Sequence, residues 1–133
     1  MSSFDGKKDM KNFYQNNDTP AVTLDTHTWY LTTIYRVNGY TQVLTRKAYI
    51  SFNTADGKLA GNGSCNSFGG KLMVADSNLS FGNIFSTKMY CNDVQSIEND
   101  FMSRLQKVTR YEIKGKKLLL YEQEDLLLEF ETA

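Results

Sequence analysis

From residue 28 to 37 the chain alternates. Trp29, Leu31, Thr33, Tyr35 and Val37 fall on one side, and Tyr30, Thr32, Ile34 and Arg36 on the other. A period of two marks a half-buried strand. Asn38-Gly39 follows, and both residues accept the positive φ of a type I′ turn. The spacing therefore predicts a hairpin returning over residues 40–46. A third strand is expected over 48–53, with Ala48, Ile50 and Phe52 on one face. Asp56-Gly57 turns the chain into a short strand at 58–60. Residues 61–70, Gly-Asn-Gly-Ser-Cys-Asn-Ser-Phe-Gly-Gly, read as a tight Gly-rich loop. Strands are expected at 71–75 and around Leu79 and Phe81, with 83–90 irregular.

The period changes at residue 92. Val94, Ile97, Phe101, Leu105 and Val108 recur at steps of three and four, which predicts one amphipathic helix over 92–108. Asn92 is suited to cap it, with Gln95 three residues later as in a capping box. Three further strands are expected, at 109–113, 117–121 and 124–130, with turns at Lys114-Gly115-Lys116 and Gln123. The predicted class is α+β: a strongly curved antiparallel sheet of seven to eight strands, packed by one amphipathic helix.

Composition agrees with a sheet. The 133 residues are 13% aromatic, with eight Tyr and eight Phe, and broad rings pack well on a pleated surface. This length suits one domain with its own core. Fifteen basic residues balance fifteen acidic ones, so nothing in the net charge draws the chain to nucleic-acid phosphates. No apolar run approaches the ~20 residues that span a bilayer, so no transmembrane segment is expected. Residues 1–26 are mostly polar and read as a tether or short irregular helix closed by Pro20, with the domain over 27–133. No signal peptide is visible, and the polar stretch fits either what remains after an export signal is removed or the tail of a cytoplasmic domain.

The chemistry-bearing patterns fail one by one. A phosphate loop needs Gly five positions before Gly70, and Cys65 stands there; Lys71 is then followed by Leu72. A dinucleotide fingerprint needs a third Gly where Asn66 lies, and a helix where a strand is expected. One His and two Cys 26 positions apart do not supply a zinc set. His27 is the only base for a Cys or Ser nucleophile, and its simplest place is the surface. Glu122, Glu124, Asp125, Glu129 and Glu131 cluster on the terminal hairpin, where a solvated outer face accounts for them. No catalytic residue, metal ligand or cofactor site is expected, and the chain is read as no enzyme.

Cys65 and Cys91 leave two readings open: a disulfide, or two separate thiols. Both segments are expected to cross the same end of the sheet, which would bring the Cα atoms within the ~7 Å that a disulfide requires. Closing a loop of this length would stabilise the fold by about 3.5 kcal/mol in the chain-entropy model. Such a pair would oxidise outside the reducing cytosol. Asn66 is expected to tie the loop's backbone amides with its side chain.

Gly63-Ser64-Cys65-Asn66-Ser67-Phe68-Gly69-Gly70 resembles the Gly-Cys-Asn-x-x-x-Gly signature of the META domain, the family of the HslJ heat-inducible proteins. Thr87-Lys88-Met89-Tyr90-Cys91 resembles its Thr-x-Met-x-Cys element. Trp29-x-Leu31, Ile50-x-Phe52, the helix and the Leu-rich hairpins follow in the family's order, so the resemblance spans about residues 28–130. Ser64 stands where Gly is usual, Tyr90 where a small residue is, and Asn92 where Pro is common. The resemblance marks Gly63, Asn66, Gly70, Thr87 and Met89 as a structural signature. It implies an exported bacterial domain, often an envelope lipoprotein, with no established activity.

The expected role is therefore a non-catalytic cell-envelope domain that binds a partner protein or supports an envelope assembly. The alternative comes from Thr28-Trp29-Tyr30-Leu31, which resembles the opening strand of lipocalins and fatty-acid-binding proteins and implies a carrier of a small apolar ligand.

Overall fold

The computed structural model describes residues 23–132. The tether reading for residues 1–22 lies outside the described residues. In chain order the elements are β1 (Trp29–Arg36), β2 (Gly39–Gln42), β3 (Ala48–Asn53), β4 (Lys58–Gly63), β5 (Ser67–Ala75), β6 (Asn78–Ser86), α1 (Gln95–Leu105), β7 (Arg110–Lys114), β8 (Lys117–Glu122) and β9 (Asp125–Thr132). All nine strands join one antiparallel sheet in the order β2-β1-β3-β4-β5-β6-β7-β8-β9, and β1 also pairs with β9. That last pairing closes β1 and β3 through β9 into a barrel, with β2 attached as a flap on the outer half of β1.

The class is the expected one, with more strand than the sequence pattern gave. Most of the Gly-rich stretch is ladder: Ala48↔Gly63 and Ile50↔Gly61 pair on one side, and Gly61↔Phe68 and Leu59↔Gly70 on the other. Only residues 64–66 turn the corner. Similarly, β6 runs on to Ser86, through part of the segment read as irregular. Small residues mask a strand in a hydrophobicity pattern, because they leave no side chain to alternate.

Two local expectations are corrected. The first hairpin turns at Val37-Asn38, one residue earlier than Asn38-Gly39: Arg36 pairs with Gly39, and β2 stops at Gln42. Strict alternation along β1 also breaks. The β1–β9 register slips between Leu31 and Thr33, leaving Thr32 as an extra residue. A β-bulge of this kind swaps the faces beyond it. Ile34 is thus fully buried, whereas Val37 is 99% exposed.

The core fills the barrel. Trp29, Ile34, Ile50, Phe101, Leu118, Leu120, Leu128 and Phe130 are fully buried. The Trp29 indole N–H donates to the Leu24 carbonyl at 3.0 Å, and Leu24 is itself buried. The core therefore recruits a residue upstream of the first strand. Helix α1 packs against β4 and β9. Its Phe101 meets Phe68 edge-on and Phe130 at a tilt, both with centroids 5.8 Å apart. These are favourable arrangements for the ring quadrupoles.

The helix is shorter than predicted, and its N-terminus is built differently. Val94 occupies the cap position with no side-chain cap bond, so Asn92 does not cap. Instead the Gln95 Oε1 accepts from the Cys91 backbone N–H at 3.2 Å. The barrel has one weak seam. β6 and β7 share a single residue pair, Asn78↔Arg110, beside the bonds Leu79 N–H to Thr109 O and Tyr111 N–H to Ser77 O, each 3.0 Å. Beyond that seam β6 pairs, among the described residues, with β5 on one side only.

Candidate functional site

Four of the five signature residues, Gly63, Asn66, Thr87 and Met89, meet at the corner between β4 and β5, where α1 and the end of β6 converge. The turn residue Ser64 has φ +102°. Gly63 N–H closes the corner on the Asn66 carbonyl at 2.9 Å. Gly63 is required here, because a Cβ at that position would come within 2.7 Å of the Glu98 side chain.

Glu98 organises the corner. It lies on α1, only 5% exposed. Its Oε2 accepts the backbone N–H of Cys65 at 2.9 Å and of Asn66 at 2.6 Å, and its Oε1 accepts the Asn66 Nδ2 at 2.6 Å. Burial alone would push its carboxyl up. The donated bonds, from the Asn66 backbone and side chain, then the Cys65 backbone and Gln95, outweigh burial and hold it below the usual 4.5. The carboxylate is therefore ionised and fully engaged.

Asn66 faces the other way as well. Its Oδ1 accepts from the Thr87 hydroxyl at 2.8 Å and the Met89 N–H at 2.7 Å, while its Nδ2 also donates to the Met89 carbonyl at 3.0 Å. The expectation that Asn66 ties the amides of its own loop is thus corrected. Glu98 ties those amides, and Asn66 ties the 87–89 segment to the corner. This explains the spacing of the two signatures: Thr87 offers a hydroxyl, and residue 89 offers backbone groups. The Met89 side chain itself is 59% exposed.

Cys65 and Cys91 are joined by a disulfide, with Cα atoms 5.8 Å apart. The corner, the 87–91 segment and the start of α1 are thus held by one covalent bond and a web of hydrogen bonds. Gly70 stands apart. It lies further along β5 at the β5–β6 register shift, where a Cβ would come within 3.0 Å of the Gly82 carbonyl oxygen. His27 is exposed. Glu129 of the acidic hairpin is not simply solvated: it accepts from the Tyr35 hydroxyl at 2.8 Å and pairs with Lys117 at 3.5 Å. Burial, then that bond and charge, push the Tyr35 phenol up to about 12.

Sequence reasoning missed Glu98, and a signal was present. Position 98 is four after Val94 and three before Phe101, so it lies on the helix's apolar stripe. A carboxylate there needs buried donors. Beside the corner a cleft of about 470 Å³ opens between the end of β6 and α1, lined in part by Ile84, Ser86, Lys88, Gln95 and Met102. Among the described residues no group of three or more His, Cys, Asp or Glu could hold a metal ion, and no helix is long and apolar enough to cross a membrane.

The fold and corner define a class: a small closed barrel, with one helix packed on it through Phe101 and Leu105, and a disulfide-stapled Cys-Asn turn. The chain belongs to the META domain family, whose pattern matches residues 22–133. Its fold is similar to the solution structure of a protein from Burkholderia xenovorans, with a TM-score of 0.69 at 20% identity, covering 92% of this chain and 99% of that one. A second solution structure is similar at a TM-score of 0.62 and 24% identity, covering 84% and 96%. A DUF4847 family protein from Bacteroides vulgatus is similar at 0.57 and 16% identity, covering 81% and 93%. No curated protein matches the chain.

Proposed function

We propose that this META domain works outside the cytoplasm, in the bacterial cell envelope, as a non-catalytic module that binds a partner protein. The observation that carries the reading is the Cys65–Cys91 disulfide, which holds the signature segments together. A disulfide persists in an oxidising compartment and is rare in a reducing one. Two further observations support a binding role. The sulfurs are bonded to each other, and the Glu98 carboxylate is engaged by donors from the chain itself, so the most reactive groups at the corner are occupied in holding its shape. The barrel centre is filled by Trp29, Phe101 and Phe130, which favours a surface role over the carriage of a small apolar ligand inside.

The test is made in the source cells. Thiols are trapped with iodoacetamide at lysis and the protein is mapped without reductant. A linked peptide containing Cys65 and Cys91 is expected. A photo-reactive phenylalanine at the exposed positions Val37, Leu44, Phe85 or Tyr90 is expected to capture a discrete envelope protein. Freely alkylated cysteines would overturn the envelope assignment, and no adduct from any position would overturn the binding role.

A further inference from the structure

The seam between β6 and β7 leaves an open edge beside a helix. Thr87 N–H bonds to the Ser67 carbonyl at 3.0 Å, and Gly69 pairs with Phe85. In an antiparallel ladder successive residues point their backbone groups to opposite sides. Bonding toward β5 at 85 and 87 therefore directs the Ile84 carbonyl, and both the N–H and the carbonyl of Ser86, away from β5. Among the described residues no strand lies on that side, because β7 meets β6 only at Asn78. Across the gap stands α1, and the cleft of about 470 Å³ lies between. That volume is within the usual range for ligand clefts, roughly 300–1,000 Å³.

We propose that this cleft takes an extended peptide segment of a partner protein, added as a strand to the edge of β6 and covered on its far side by α1. The proposal rests on the binding role given above and names its surface. Strand addition supplies affinity through main-chain bonds, and side-chain pockets supply choice. Here one residue of the peptide exchanges both backbone bonds with Ser86. Ile84 and Met102 offer apolar contact, while the Asn99 Nδ2 on α1 and the Gln106 amide just beyond it offer polar groups.

Charge narrows the occupant. Lys88 lines the cleft, is exposed, and has no ion-pair partner among the described residues. The other charged lining residue, Glu98, has its oxygens occupied by Cys65 and Asn66. The segment that fits is thus extended and mostly neutral, with an acidic side chain placed to meet Lys88.

The probe is a phage-displayed library of linear random peptides, panned on the oxidised full chain. Enriched peptides are expected to carry an acidic residue among neutral and apolar ones. Their binding should slow hydrogen exchange at the Ser86 amide. Ser86→Pro removes that outward N–H without removing a bond to β5, and proline is tolerated on a free edge. It should weaken binding about tenfold, the worth of one hydrogen bond. Lys88→Glu, at a side chain with no ion pair among the described residues, should shift selection from acidic to basic peptides.

An absence of enrichment would overturn the proposal. So would peptides that leave Ser86 exchange unchanged and bind Ser86→Pro and Lys88→Glu as well as the parent. If photo-capture in cells succeeds from other positions while the library fails, the cleft is wrong and the binding role stands. Enriched peptides that protect Ser86, without any cellular adduct, would support the cleft and overturn the cellular role.

Discussion

The Glu98 carboxylate lies 2.6 Å from the backbone nitrogen of Asn66, so a helix residue 32 positions later supplies the acceptor for the Cys-Asn corner. Three donors converge on it from Cys65 and Asn66. Removing the acceptor leaves buried donors without partners, and each such group costs about 1–3 kcal/mol. Glu98→Ala is expected to destabilise the domain by about 3–5 kcal/mol in urea unfolding. A loss below about 1 kcal/mol would mean that the corner does not depend on this carboxylate.

Acid should act through the same group. The folded-state value for Glu98 is lowered, so its contribution to stability is complete above the unfolded value of 4.5 and is lost as pH falls through the lower folded value. Glu98→Gln should be less stable at neutral pH yet lose less on acidification. Melting temperatures of the two proteins, followed from neutral pH downward, should converge. Parallel curves would show that the acid loss comes from elsewhere.

Ser64 gives a prediction of the opposite sign. It holds φ +102°, where L side chains are strained, and its hydroxyl is buried with no hydrogen-bond partner among the described residues. Ser64→Gly relieves both, at some cost in unfolded-chain entropy. A gain of about 1 kcal/mol is expected, read as a rise in melting temperature, whereas Ser64→Ala should fail to match it. If both variants melt together below the parent, the strain is not real.

The disulfide closes a loop with a sequence separation of 26. Cys91→Ser is expected to cost about 3.5 kcal/mol, most of it through the freer unfolded chain. The Asn66 bonds to Thr87 and Met89 remain, so the segment should loosen without detaching. Hydrogen exchange at the Met89 amide should quicken yet stay slower than at an open loop. Complete loss of protection there would show that the hydrogen bonds depend on the covalent link.

Phe101 tests the barrel's filling. It is fully buried between Phe68 and Phe130. Phe101→Ala should cost about 3–5 kcal/mol, the usual toll of a deleted core aromatic. A variant that melts within a degree or two of the parent would displace α1 from the core.

The periodicity of the chain by itself determined the class. Alternation placed most strands, the step of three and four placed the helix, and Phe101 and Leu105 were legible as its buried face because an apolar stripe has one favourable destination. The paired signatures around Cys65 and Cys91 marked the segments that meet. Barrel closure was not legible: pairing Trp29 with Thr132 joins the first strand to the last, and local pattern carries no such information. Nor was the bulge at Thr32, which reverses the alternation of β1 and buries Ile34 instead of Tyr35. The role of Glu98 also waited on tertiary structure. A carboxylate on an apolar stripe is unfavourable until amides from another element reach it, and only the fold brings the Cys65 and Asn66 amides within bonding distance.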